Sequence, residues 1–330
     1  MSGPPRETFE LIGGVALEAG FAEALARGRL HHAWLIAGPE GSGKATFAYR
    51  AARRLLGAAP APEYGALGAA PDDPVSRLVA SRAHPDLMVI QREADDGKPR
   101  RQIPVDEVRR LPEFFAKTPA MAPWRVAIVD TADDLNVNGA NALLKTLEEP
   151  PPRGALFLLT ARPAALLATL RSRCRSVRLA PCSEAETAAW LSARTGLAEA
   201  EAVRLSAMAA GAPGRALSLA LGGGTAVDDA AGELLASLPD VDPGAVQALA
   251  EGFRGAEGAA RFALLFERLA ARVRERASAR ALAGEGGLDP WAESFELLHS
   301  LPRRAEAVNL DRADVFHAAL ASLKRAARAC

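Results

Sequence analysis

Ala33-Trp34-Leu35-Ile36-Ala37-Gly38-Pro39-Glu40-Gly41-Ser42-Gly43-Lys44-Ala45-Thr46 is the stretch on which the fold turns. Its first five residues read as a short buried strand, and the glycine-rich run after them opens a helical pattern over Gly43 to Leu56. Strand, Gly-x-x-Gly-x-Gly-Lys and helix, in that order, are the setting a phosphate loop requires. Glycines let the backbone curl until its N–H groups converge on phosphate, and the helix N-terminus adds partial positive charge. Gly38, Gly41 and Gly43 would form the cradle, and Lys44 would reach the β- and γ-phosphates.

Outward from this loop the chain alternates short β-rich runs with helical patterns, as a parallel sheet with crossover helices does. Beside Ala33 to Ala37, the candidate strands are Leu87 to Gln91, Arg125 to Asp130, Ala155 to Thr160 and Ser176 to Leu179. Leu143, Leu144 and Leu147 recur at the spacing of one buried helical face within Asn138 to Glu149. Gly57 to Pro74 and Glu93 to Arg101 lack periodicity and read as surface loops. Beyond about Ala180 the strand signal ends. Helices are expected over Ser183 to Arg194, Ala198 to Ala210, Gly214 to Leu221, Ala259 to Arg280 and Arg312 to Arg328, with a linker from Gly222 to Asp229. The fold class is therefore α/β followed by all-α segments.

The nucleotide chemistry of the loop is incomplete. A phosphate loop ordinarily places Ser or Thr after its lysine to hold magnesium, and this chain has Ala45. Thr46 does not substitute, because one helical residue turns the side chain by roughly 100°. The strand Arg125 to Asp130 ends in Asp130, where such proteins place a metal-orienting aspartate. An ATPase of the AAA+ class follows it with Glu to activate water, whereas this chain has Thr131, whose hydroxyl cannot act as a base near neutral pH. Asp133 and Asp134 read as helix caps and solvated charge rather than as a relocated base.

Composition narrows the remaining classes. The 330 residues exceed what one core usually holds, so two or three domains are expected. Lys plus Arg equals Asp plus Glu at 40 each, so the global positive field of an autonomous nucleic-acid binder is lacking. Cys174, Cys182 and Cys330 form no CxxC pair, so neither a disulfide framework nor a four-ligand zinc site can be built. The polar N-terminus and the lack of any stretch near ~20 apolar residues point to a cytoplasmic protein with no membrane contact.

With these residues in view, the chain resembles bacterial clamp-loader subunits of the delta-prime type. Leu30-His31-His32-Ala33-Trp34-Leu35, His84-Pro85-Asp86-Leu87 and the run from Ile103 to Arg109 match that family's segments. So do Asn141-Ala142-Leu143-Leu144-Lys145-Thr146-Leu147-Glu148-Glu149-Pro150-Pro151 and, weakly, Asn309-Leu310-Asp311-Arg312. Most diagnostic is the triplet Ser172-Arg173-Cys174. There are departures. The four-cysteine zinc module of some members is missing from Gly57 to Ala66, and where the lid of an active subunit carries an arginine this chain has Gly214, with Arg215 one residue late.

The resemblance implies an AAA+ core over 1–180 with a degenerate P-loop, a helical lid over 181–222, and a helical collar over 223–330 that oligomerises. It implies a stator without ATPase activity of its own, needing no cofactor and binding ATP or ADP weakly if at all. Arg173 would act in trans as an arginine finger on a motor subunit's ATP. The implied partners are the tau/gamma motor and delta subunits, with the sliding clamp and primed DNA reached through the complex. Two other classes stay open: an autonomous P-loop ATPase or kinase, and an AAA+ assembly factor unrelated to a clamp.

Overall fold

A computed structural model describes residues 3–92 and 102–329. Five strands form one parallel sheet: β1 Ala33–Ala37, β2 Leu87–Gln91, β3 Arg125–Asp130, β4 Gly154–Thr160 and β5 Arg175–Arg178. Their spatial order is β2-β3-β4-β1-β5, with Trp34 of β1 opposite Phe157 of β4 on one side and Arg175 of β5 on the other. The sequence-predicted strands coincide with these to within one residue.

The sheet is covered on both faces, which is why its inner strands are nearly all apolar. Alternation along β1 sends Trp34 and Ile36 into one core with Phe21, Phe47, Ile128 and Phe157. Ala33 and Leu35 enter the opposite core with Val129, Leu143, Leu147 and Leu158. The first cover consists of α1 Val15–Ala26, α2 Lys44–Leu55 and α3 Pro74–Ala80; the second of α4 Val105–Arg109, α5 Leu111–Ala116, α6 Val137–Glu148 and α7 Ala168–Arg171. Three helices follow, α8 Glu184–Thr195, α9 Glu199–Met208 and α10 Pro213–Leu221. Ser183 and Glu186 cap α8 reciprocally, and the Ser206 hydroxyl donates to the Glu184 carbonyl at 2.7 Å to tie α9 to it.

The chain divides into two compact units, Met1–Leu217 and Ser218–Cys330. The second is all-helical: α11 Gly224–Ala236, α12 Pro243–Glu251, α13 Gly255–Leu282, α14 Asp289–Val308 and α15 Arg312–Arg328. Its core gathers Leu234, Phe262, Phe266, Trp291 and Phe316. Buried Asp228 of α11 accepts hydrogen bonds from Arg268 at 2.8 Å and Arg272 at 2.7 Å, so its charge is matched by two guanidiniums of α13. Among the described residues no helix is long and apolar enough to cross a membrane.

Two expectations need correction. The supposed linker Gly222 to Asp229 is helical from Gly224, because Val227, Ala231, Leu234 and Leu235 form a buried face that outweighs the three glycines before it. The segment from Gly57 to Pro74 is not a solvated loop throughout. Ala58, Ala61, Leu67 and Ala69 are buried, and the Tyr64 carbonyl accepts from Arg50, whose guanidinium also holds buried Glu18. The tract Glu93 to Arg101 and Cys330 lie outside the described residues.

Candidate functional site

The phosphate loop lies where β1 ends and α2 begins. Gly41 and Gly43 adopt φ of +76° and +95°, which L side chains resist, and Gly43 is the residue before α2. The Lys44 ammonium folds back over the loop and donates to the carbonyls of Gly38 at 2.9 Å and Pro39 at 2.8 Å. Burial lowers its pKa, and the carboxylates of Asp130, Asp133 and Glu40 pull it back part of the way. Gly38, Gly41, Gly43, Lys44 and Asp130 therefore share the edge of the sheet where β1 and β3 end. Ala45 packs against the core beneath α2 and offers no oxygen to a metal. Among the described residues no group of three or more His, Cys, Asp or Glu side chains could hold one.

Past β3, the residues that would have to activate water are engaged in structure. The Thr131 hydroxyl lies 2.7 Å from the Leu159 carbonyl, to which it donates. The Asp133 side chain is 7 % exposed, not solvated as the sequence suggested. It accepts from the Ala161 N–H at 2.6 Å and the Thr160 hydroxyl at 2.9 Å, clamping the ends of β3 and β4. Burial would raise this carboxyl, but those bonds outweigh it and leave its pKa below the ordinary value, a poor base. Asp130 also lines a cleft of about 270 Å³ with Tyr49, Arg82, Arg92 and Asp134.

The start of α10 rests directly on the phosphate loop. The Gly214 N–H donates to the Gly41 carbonyl at 2.8 Å. A β-carbon at Gly41 would stand 2.2 Å from the Arg215 backbone nitrogen, and one at Gly214 would stand 3.0 Å from the Gly41 oxygen. Gly41 and Gly214 thus form a backbone-to-backbone joint between the loop and α10. The sequence held the glycines but gave no sign that they meet.

Arg173 lies elsewhere. The sheet is parallel and Arg175 is in register with Trp34 near the start of β1, so Arg173 stands at the edge where strands begin, while the loop stands where β1 ends. Roughly 15 Å of strand separates the two levels. The triplet divides its labour. The Ser172 hydroxyl donates to the Thr169 carbonyl at 3.1 Å, closing the end of α7. Cys174 packs, partly buried, against the second core, and burial pushes its thiol up to about 12. Between them Arg173, its side chain 37 % exposed, donates to the Thr169 carbonyl at 2.9 Å and pairs with Glu148 at 2.9 Å. Arg175 is no bare surface charge, since its guanidinium lies 4.9 Å from the Trp34 ring centre.

Comparison with known proteins bears on this arrangement. The family described as "DNA polymerase III, delta subunit" matches residues 16–183, which hold the loop, the end of β3 and the triplet. The chain belongs to the DNA polymerase III delta-prime family. DNA polymerase III subunit delta' of Pseudomonas aeruginosa is 37 % identical over 183 residues, covering 55 % of this chain and 53 % of that protein. The Escherichia coli subunit delta' is 36 % identical over 192 residues, 58 % and 55 % of the two chains. DNA polymerase III subunit gamma/tau of Mycobacterium tuberculosis is 32 % identical over 169 residues, 51 % of this chain and 28 % of that one. The chain spans about half the length of the delta-prime relatives it matches. The fold class expected from the delta-prime resemblance holds: an AAA+ P-loop core with a parallel sheet, a small helical lid and an all-α collar.

One delta-prime motif is structural. In His84-Pro85-Asp86-Leu87 the buried Asp86 carboxylate accepts from the N–H groups of Ala120, Met121 and Ala122 at 2.7, 2.9 and 3.0 Å. It also pairs with Arg125 at 3.3 Å, pinning the turn that feeds β3. The His84 Nδ1 accepts from the Asp86 N–H at 3.2 Å, so this histidine shapes the same corner.

Proposed function

We propose that the chain is a delta-prime-type subunit of a DNA polymerase III clamp loader, a stator that does not turn over ATP and lends Arg173 to the ATP of a neighbouring motor subunit. The observation that carries this reading is the position of Arg173 at the opposite edge of the sheet from the chain's own phosphate loop. An arginine so placed cannot reach a phosphate on the chain's own loop, and it is free to face a neighbouring subunit. Guanidinium suits the task because it is always charged and its planar fork can hold two phosphate oxygens.

The chain's own site supports the other half of the proposal. Ala45 removes the usual magnesium ligand, Thr131 replaces the water-activating glutamate, and Asp133 is committed to the strand ends. Such a site holds ATP or ADP weakly at most, and the role needs no cofactor bound to this chain. The tau/gamma motor and delta subunits are the proposed direct partners, with the sliding clamp and primed DNA engaged by the whole complex. On this reading 1–180 acts as the core, 181–222 as the lid, and 223–330 as the collar that joins the assembly.

The test is a loader reconstituted with Arg173→Ala and assayed for clamp- and DNA-stimulated ATPase and clamp loading. A finger contributes roughly 10³–10⁵ in rate where it serves the only active site; a loader has several, so the expected loss is smaller. Arg173→Lys should rescue little. Arg178→Ala, exposed on β5, is the charge control, since Arg175 is stacked on Trp34. Wild-type activity of the Arg173→Ala loader, or equal losses at both positions, would refute the finger.

A further inference from the structure

We infer that Glu148 is a positioning residue for Arg173, holding its guanidinium in the pose in which it meets a neighbouring subunit's phosphate. The inference rests on the finger reading above and deepens it. Glu148 is the last residue of α6, which runs from the end of β3 back to the edge where β4 begins, so it arrives at the same edge as α7 and the triplet. There its Oε1 stands 2.9 Å from the Arg173 Nη2, while Nη1 donates to the Thr169 carbonyl at 2.9 Å. Each terminal nitrogen is engaged once, and each carries a second N–H. The two anchors fix the plane of the fork while leaving donors for phosphate.

This pair differs from an ordinary surface ion pair in what stands behind it. Thr169 belongs to the α7 turn, whose Leu170 is fully buried, and Cys174 beyond it is partly buried against the same core. Glu148 follows Leu147, also buried, whose carbonyl lies 3.3 Å from the His32 Nε2. Both partners are thus mounted on backbone anchored to the second core. An arginine side chain otherwise loses substantial rotamer freedom when it is immobilised on a phosphate. Restraining it beforehand removes part of that loss, which is how preorganisation raises a rate. The carboxylate is half exposed, at 51 %, so the arriving phosphate competes with a screened pair and not with a deeply buried one.

The experiment uses reconstituted loaders carrying Glu148→Ala, Glu148→Gln, Arg173→Ala and the double replacement. Their ATPase is measured against ATP concentration in the presence of clamp and primed DNA. Glu148→Ala should lower kcat about two- to fivefold, the range an exposed pair supports, with KM for ATP unchanged because the motor subunit's own site binds the nucleotide. Glu148→Gln, which keeps an oxygen acceptor, should recover part of that loss. The double variant should be no slower than Arg173→Ala alone, since Glu148 acts through Arg173. Thermal unfolding of all four should match wild type. If the Arg173→Ala loader is as fast as wild type, the finger reading itself fails. If Arg173→Ala is slow while Glu148→Ala equals wild type, exceeds it, or adds a further loss in the double variant, the positioning role is overturned and the finger stands.

Discussion

Replacing Asp86 by Ala should destabilise the first unit by ~3–4 kcal/mol. The carboxylate accepts three backbone N–H groups from residues 120–122 and faces Arg125, all in a site with no exposed side-chain surface at Asp86. An orphaned donor costs up to ~1–3 kcal/mol when buried, less here because Ala120 and Met121 are exposed residues, and removing one partner of a buried ion pair costs ~3–5 kcal/mol. The terms overlap, because Arg125 keeps the carbonyls of Phe114 and Thr118 and the turn can relax toward water. The total therefore falls well below their sum, yet it is a large part of the ~5–15 kcal/mol that holds a typical domain. Amide exchange of Val126 to Val129 in β3 under native conditions is the assay, since it reads this unit apart from the second. A loss below ~1 kcal/mol would refute the clamp.

The pH dependence has a definite sign. Burial alone would raise the Asp86 carboxyl, but the three N–H groups and Arg125 outweigh it and leave its pKa lowered. A carboxyl depressed on folding stabilises fully above its unfolded value of about 3.9, and that contribution is lost as pH falls through the lower folded value. The gap between wild type and Asp86→Asn should accordingly narrow in acid below about pH 4 and stay constant at neutral pH.

Two other perturbations test the joint and the triplet. Gly41→Ala forces a left-handed φ on a residue with a side chain, at ~1–2 kcal/mol, and drives its methyl into Arg215; exchange of the Gly214 amide should quicken, and unaltered exchange would refute the joint. In the native chain Cys174 should alkylate with iodoacetamide more slowly than Cys182 at pH 8, and both at similar rates in urea; equal native rates, read by mass spectrometry, would contradict its seating in the core.

Much of the sheet was legible because its signals are local. Each strand is a short apolar run, and the loop after β1 needs a fixed spacing of glycines and lysine within one segment. What escaped depends on residues distant in the chain. Asp86 finds its donors 34–36 positions away, and Glu148 meets Arg173 across the whole of β4 and α7. The joint between Gly41 and Gly214 is made of backbone atoms, which leave no mark on side-chain pattern. In α11 the buried spacing of Val227, Ala231 and Leu234 was present, but three preceding glycines masked it.

The opposed edges of the sheet have a consequence for assembly. On the finger reading, a subunit that donates across one edge and would receive across the other associates head to tail, and such contacts close into rings or run on as open rows whose two ends differ. A member with a donor arginine but no competent receiving site suits one terminus of a row. It would activate the neighbour before it and have no use for a donor behind it. The polarity of the sheet would then mark where a row of motors stops.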